Sequence, residues 1–132
     1  DWDKYVLEEF DKYPDKIALV CPDFDDWDRL GFGIVGFMHK NWEKAVGHYC
    51  PCVHGSQSGD RWLNKVASYV GRNVHLKTMR IKNINVRDRM HREKNRKGKE
   101  EGWTKIYHNP EMAELRQQEG KKLAKFIEDF KQ

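Results

Sequence analysis

The chain has 132 residues, a formal net charge of +4 at pH 7 and 35% charged residues. This length is typical of one compact domain that buries a core without disulfides. The sequence has three cysteines, no apolar run near the ~18 residues that span a bilayer and no secretory h-region. These features argue against a disulfide-rich secreted protein and against a membrane-spanning one. We therefore expect a soluble, cytoplasmic protein.

The first third of the chain predicts a helix followed by two strands. DWDKYVLEEFDKY (1–13) has apolar residues at helical spacing and is stopped by Pro14. KIALVC (16–21) is typical of a buried strand, and the acidic DFDDWD (23–28) after it predicts a loop. GFGIVGF (31–37) predicts a second strand, although three glycines loosen it.

The middle of the chain predicts two more helices and two more strands. Asn41 is expected to cap a helix that stops at Gly47. SGDRWLNKVASYVG (58–71) has apolar residues at helical spacing and predicts a helix with Ser58 or Asp60 at its cap. NVHL and TMRIKNINV (73–86) predict two strands.

The C-terminal segment predicts an amphipathic helix. Asn109 is expected to cap it, Pro110 to open it and Gly120 to interrupt it. The order of the predicted elements indicates a mixed α/β fold with flanking helices. We expect residues 1–107 to form one domain and residues 108–132 to form the C-terminal helix.

Charge is distributed unevenly along the chain. Residues 1–30 contain ten acidic and four basic residues, whereas residues 77–100 contain ten basic and three acidic residues. Basic segments of this kind attract phosphate in any form, including nucleic acid. Residues 77–100 therefore predict a site for phosphate or nucleic acid, and a solvated charged loop is the alternative.

Three spaced segments carry a resemblance to a known family. They are YPDKIALVCPDFDDW (13–27), GFMHKNWEKAVGHYCP (36–51) and GDRWLNKVASYVGRNVHL (59–76). Their order and spacing resemble the C-terminal, acceptor-side half of phage or bacterial glycosyltransferases of the GT-A fold, similar to the inverting family-2 type. RDRMH (87–91) and WTKIY (103–107) resemble the segments that follow in that family, so the resemblance covers about residues 1–107.

The resemblance implies an inverting transfer from a nucleotide-sugar donor to an unknown acceptor, with a divalent metal, Mg²⁺ or Mn²⁺. In the family, the nucleotide-binding half and a metal-binding D-x-D motif lie upstream of the segment that matches Asp1. We therefore expect either a piece of a longer enzyme or a truncated relative that kept the acceptor half. A detached half should leave an apolar edge of the sheet uncovered, which predicts a homodimer or an exposed apolar patch.

Four residues take acceptor-side roles from the resemblance. Asp60 would be the catalytic base, which takes the proton from the acceptor hydroxyl. Trp62 would be an apolar platform for a sugar ring, and His48 and Tyr49 lie in the loop that would line the acceptor site. The alternatives are a helix N-cap for Asp60 and core packing for Trp62.

The expected metal and phosphate ligands lie elsewhere in the chain. His91 resembles the late metal-ligating histidine of the family, and a solvated histidine is the alternative. Arg87 would contact phosphate. Asp23 and Asp25 form a D-x-D after an apolar strand, the context of a metal-binding carboxylate pair, and a solvated acidic turn is the alternative.

HYCPCVH (48–54) places two histidines and two cysteines at every second position. A zinc site usually draws its ligands from two separated pairs, and a redox pair favours C-x-x-C. We therefore interpret the segment as an acceptor-side loop and expect no zinc, with a small zinc module as a rival. The main rival to glycosyl transfer is a non-enzymatic, basic phage-type accessory protein that binds nucleic acid or a protein partner through residues 77–100.

Overall fold

The computed structural model describes residues 1–51, 59–82 and 103–132. Six helices and three strands lie in this part of the chain. In chain order they are α1 (Trp2–Asp11), β1 (Leu19–Asp23), α2 (Trp27–Leu30), β2 (Phe37–Met38), α3 (Lys40–Val46), α4 (Gly59–Ser68), β3 (Asn73–Arg80), α5 (Trp103–His108) and α6 (Pro110–Phe130).

The three strands form one mixed sheet in the order β2-β1-β3. The central strand β1 is antiparallel to β2 and parallel to β3. The register changes between Pro22 and Asp23, so that Asp23 lies opposite Arg80 where the two parallel strands end. Acidic and basic side chains that are far apart in sequence therefore meet at one edge of the sheet.

The core lies on both faces of β1, because successive strand residues point to opposite sides. Leu19 and Cys21 pack on one face, and Ala18 and Val20 on the other. The larger cluster joins β1 to the helices α3, α4 and α6 through Trp42, Val46, Trp62, Val66, Ala67 and Leu123. The smaller cluster joins β1 to α1 through Val6 and Phe10 and to β3 through Leu76. The predicted mixed α/β fold with flanking helices and a C-terminal helix is confirmed at this level.

Arg72 fixes the start of β3 against the start of β1. Its guanidinium donates to both carboxylate oxygens of Asp15, at 3.0 and 3.2 Å, and to the carbonyl of Ile17 at 2.9 Å. The guanidinium also lies 4.3 Å from the ring centroid of Tyr13. Because Asp15 is only 5% exposed, its charge requires this partner inside the fold.

Several local predictions differ from the structure. Within GFGIVGF only Phe37 joins a strand, because the preceding residues turn and bend. The predicted cap Asn41 lies inside α3: His39 is the N-cap, and its Nδ1 accepts from the Asn41 N–H at 3.2 Å. Gly47 does end α3, with a φ of 97° that favours glycine.

The later elements also differ in part. The segment 73–86 forms one strand as far as Arg80 in place of the two that were predicted, and its last residues lie outside the described ranges. Asn109 caps α6 as predicted, since its side chain accepts from the Glu111 N–H at 2.8 Å. The interruption predicted at Gly120 is wrong, because α6 continues through it.

The structure does not leave an apolar face of β1 uncovered, contrary to the expectation for a detached half. Residues 17–21 are at most 1% exposed in the isolated chain, since the helices cover both sides of the strand. The argument for a homodimer through this face therefore fails, and the homodimer stays a prediction. Among the described helices, none is both long and apolar enough to cross a membrane.

Candidate functional site

Asp60 lies in the first turn of α4, which begins one residue earlier at Gly59. Its Oδ1 accepts from the Arg61 N–H at 2.8 Å, and the residue is partly exposed. No other hydrogen bond joins its carboxylate to a described residue. Asp60 is therefore not the N-cap itself, and the described residues leave its other carboxylate oxygen without a hydrogen bond.

A cavity of about 130 Å³ lies beside Asp60. Its walls come from one face of β1, from the loop before β2 and from α4. They are formed by Leu19, Cys21, Gly33, Ile34, Gly36, Asp60, Leu63 and Asn64. At ~30 Å³ per water, this volume equals about four water molecules, enough for a small polar group.

Asn64 holds the loop wall of this cavity in place. Its Nδ2 donates to the carbonyl of Gly33 and to that of Asp60, both at 2.9 Å, and its Oδ1 accepts from the Gly33 N–H at 3.4 Å. Gly33 approaches β1 so closely that a Cβ atom there would lie 2.2 Å from the Cβ of Cys21. The loop therefore requires glycine at this position to reach the strand.

Cys21 forms the floor of the cavity and is only 1% exposed. Burial raises the pKa of its thiol to about 12, and the nearby negative charge of Asp60 acts in the same direction. The thiol is therefore protonated at neutral pH and behaves as an apolar wall. It does not act as a nucleophile in this state.

Trp62 is fully buried, with 0% exposure. Its indole Nε1 donates to Oε2 of Glu119 at 2.6 Å, and its ring packs in the larger core cluster. The structure therefore assigns Trp62 to the core, the alternative given above, and leaves no ring face for a sugar. The cavity wall beside Asp60 comes from Leu63 instead.

His48 contacts the same buried carboxylate. Its Nε2 lies 2.9 Å from Oε1 of Glu119, but this oxygen has no hydrogen-bond partner among the described residues, so the contact is an ion pair without hydrogen-bond geometry. The other ring nitrogen, Nδ1, also has no hydrogen-bond partner among the described residues. Burial raises the pKa of Glu119, against the opposing effects of the Trp62 hydrogen bond and the His48 charge. His48 thus ties its loop to α6, whereas Tyr49 is 40% exposed and its acceptor role stays a prediction.

Asp23 and Asp25 lie at the edge where β1 and β3 end, and both contact Arg80. Asp23 is 3.1 Å from the Arg80 guanidinium and 2.7 Å from Nε2 of His75, and Asp25 is 2.5 Å from Arg80. The hydrogen bond from His75, followed by the charges of Arg80 and His75, lowers the pKa of Asp23. Trp27 stacks on His75 with ring centroids 3.5 Å apart, which covers the cluster on one side.

This edge does not fit a divalent metal as it stands. A cation bound by Asp23 and Asp25 would meet the positive charge of Arg80, which already neutralises them. In the part of the chain that the structure describes, no group of three histidine, cysteine or carboxylate side chains is placed to hold a metal ion. The divalent metal stays a prediction, because His91 lies outside the described residues, as do Arg87 and residues 52–54 of the HYCPCVH segment.

His75 and Glu119 contact predicted site residues, Asp23 and Trp62, but neither was itself predicted from the sequence. His75 is 52 residues from its partner Asp23, and Glu119 is 57 residues from Trp62. The one available signal was Glu119 on the apolar face of α6, next to the buried Gly120. A carboxylate on such a face indicates a buried partner but does not name it.

The comparisons with known proteins leave the family open. No family model, curated protein or solved structure matches the chain.

Proposed function

We propose that this chain supplies the acceptor side of an inverting glycosyltransferase that uses a nucleotide-sugar donor, with Asp60 as the general base. The observation that carries the proposal is the position of Asp60 beside a cavity of about 130 Å³, with one carboxylate oxygen left by the described residues for an acceptor hydroxyl. A general base must lie within hydrogen-bond reach of the proton that it removes.

The chemistry at this position is a direct displacement. Asp60 takes the proton from the acceptor hydroxyl as that oxygen attacks the anomeric carbon of the donor sugar. The bond from the anomeric carbon to the phosphate oxygen breaks, and the nucleoside diphosphate leaves with the electron pair. Attack from the face opposite the leaving group inverts the anomeric configuration.

The surroundings of Asp60 support this role in two ways. The N–H of Arg61 holds one carboxylate oxygen and fixes the orientation of the side chain. Asn64 fixes the facing loop through Gly33, so the distance from base to cavity wall is set by hydrogen bonds on both sides. The protonated thiol of Cys21 and the side chain of Leu63 add apolar walls, which limit the entry of competing water.

The substitution Asp60→Asn tests the proposal in the full gene product that contains these residues. Asparagine keeps the size of the side chain and its hydrogen bond to the helix, but it cannot accept the proton. We expect the release of nucleoside diphosphate with acceptor present to fall by about 10² or more, as for the loss of a general base. The thermal midpoint should change by no more than a few degrees, since a first-turn Asp contributes about 1 kcal/mol or less.

Asp3→Asn is the matched control, because Asp3 lies in the first turn of α1 and has the same charge in the same helical position. It should leave transfer unchanged. Transfer near the wild-type rate in Asp60→Asn, or an equal loss in Asp3→Asn, would show that Asp60 is not the base.

A further inference from the structure

A second and larger opening lies on the other side of Asn64 from the Asp60 cavity, and we name it the basic groove. It has a volume of about 640 Å³ and is lined by Leu30, Gly31, Phe32, Arg61, Asn64, Lys65, Ser68, Asn73, Tyr107, His108 and Arg116. This volume lies within the ~300–1,000 Å³ of small-molecule sites. Asp60 is not among its lining residues, so the groove is separate from the proposed catalytic cavity.

The charge of the basic groove has one sign. Three of the described lining residues are permanent cations, Arg61, Lys65 and Arg116, and none is acidic. None of these three forms an ion pair with another described residue. Within the described part of the chain, no ion pair therefore neutralises these charges, which favours an anionic ligand.

Arg116 is the strongest indication, because it is a buried cation. It is only 5% exposed, yet its Nε has no hydrogen-bond partner among the described residues. Its Nη1 donates to the carbonyl of Tyr107 at 2.8 Å. The buried carboxylate of Glu119, on the same helix, is near enough to interact with Arg116 through its charge, but it forms no ion pair with Arg116 and accepts its hydrogen bond from Trp62. An N–H that the described residues leave unpaired in a buried guanidinium is costly, and a bound anion would accept from that N–H and place a negative charge beside it.

Arg61 and Arg116 approach the same aromatic ring. Their guanidinium carbons lie 5.2 and 3.9 Å from the ring centroid of Tyr107. Arg61 also lies 6.0 Å from the ring centroid of Phe32. Two like charges on one ring repel each other unless an anion lies near both. Guanidinium groups suit phosphate oxygens, and the aromatic walls suit a flat or apolar ring.

We propose that the basic groove binds a phosphate-bearing organic anion, whose phosphate contacts Arg61 and Arg116 and whose ring lies against Phe32. Lys65 adds a third positive charge at the exposed side of the groove. The proposal does not depend on glycosyl transfer, because it rests on residues that take no part in the chemistry assigned to Asp60.

Isothermal titration calorimetry at 50 mM salt tests this with five probes: glucose 1-phosphate, uridine monophosphate, inorganic phosphate, glucose and a decathymidine. We expect both organic phosphates to bind about ten-fold or more tightly than inorganic phosphate, and glucose not to bind. The tighter of the two distinguishes a sugar phosphate from a nucleotide as the source of the phosphate. Hydrogen bonds from a charged guanidinium to phosphate are stronger than those between neutral groups, so Arg61→Gln and Arg116→Gln should each weaken binding about ten-fold or more.

Lys121→Gln is the control, because Lys121 is exposed on α6 and is not among the residues that line the groove. The substitution removes one positive charge, as Arg61→Gln does. It should change the dissociation constant by less than two-fold. If Arg116→Gln does not fold, the binding of Arg61→Gln alone is compared with that of the control. The proposal is overturned if no phosphate probe binds at millimolar concentration, if glucose binds as well as glucose 1-phosphate, or if Lys121→Gln weakens binding as much as Arg61→Gln. Binding of a decathymidine alone would indicate a nucleic-acid surface and would overturn it too.

Discussion

Replacement of Glu119 tests whether the buried contacts of Trp62 and His48 stabilise the wall behind the candidate site. Glu119→Ala would leave the buried indole N–H of Trp62 without its 2.6 Å acceptor and would open a small cavity. An unsatisfied buried donor costs about 1–3 kcal/mol, and the cavity adds to it, so we expect a loss of about 2–4 kcal/mol in the free energy of unfolding. At about 3–5 °C per kcal/mol for a chain of this length, the midpoint should fall by roughly 10 °C.

Glu119→Gln separates the charge from the hydrogen bond, since glutamine still presents an oxygen to Trp62. Burial raises the pKa of Glu119 above its ordinary value of 4.5, so the folded state binds more protons than the unfolded state above that pH. Wild-type stability therefore falls as the pH rises from about 4.5 through the raised pKa. The glutamine variant lacks this loss, and its stability relative to wild type should increase with pH.

Urea unfolding followed by tryptophan fluorescence at pH 5, 6, 7 and 8 measures both effects. Glu114→Gln, an exposed substitution on the same helix, is the control and should differ little from wild type at every pH. The reasoning is refuted if Glu119→Ala is as stable as Glu119→Gln, or if the difference between Glu119→Gln and wild type does not change with pH.

Two further predictions concern close packing. A Cβ atom at Gly120 would lie 2.8 Å from the Cβ of Tyr69, so Gly120→Ala should lower the free energy of unfolding by about 1–3 kcal/mol. In a Tyr69→Gly background, which removes that Cβ, the same substitution should be neutral or stabilising, because alanine favours the helix by ~1 kcal/mol. An equal loss in both backgrounds would refute the contact. With a thiol pKa of about 12, only ~10⁻⁴ of Cys21 is thiolate at pH 8. Iodoacetamide should therefore alkylate Cys21 at least about 100-fold more slowly in the native protein than in urea, as followed by mass spectrometry. Equal alkylation rates would contradict the burial of Cys21.

Local signals in the sequence predicted several elements well. Asn109 and Pro110 marked the start of α6, and Gly47 marked the end of α3, because cap chemistry depends on a few adjacent residues. Gly120 misled the prediction for the opposite reason. Its role is set by close contact with Tyr69, which is distant in sequence and leaves no local signal.

The candidate site was predicted only in part, because its contacts depend on strand pairing. Asp60 was chosen from the resemblance, and the sequence also placed it near the start of a helix. The engagement of Asp23 by His75 and Arg80 follows from the parallel pairing of β1 with β3, which periodicity does not specify. The burial of Trp62 likewise depends on the docking of α6, which brings Glu119 to its indole nitrogen.

The most direct test of the central claim is the reaction itself. The full gene product that contains this chain is incubated with a panel of nucleotide-sugar donors, candidate acceptors and Mg²⁺ or Mn²⁺. Nucleoside diphosphate release is measured, and the anomeric configuration of the product is determined by NMR. The account predicts transfer from at least one donor with inversion of configuration. No release from any donor, or a product that retains the configuration, would contradict it.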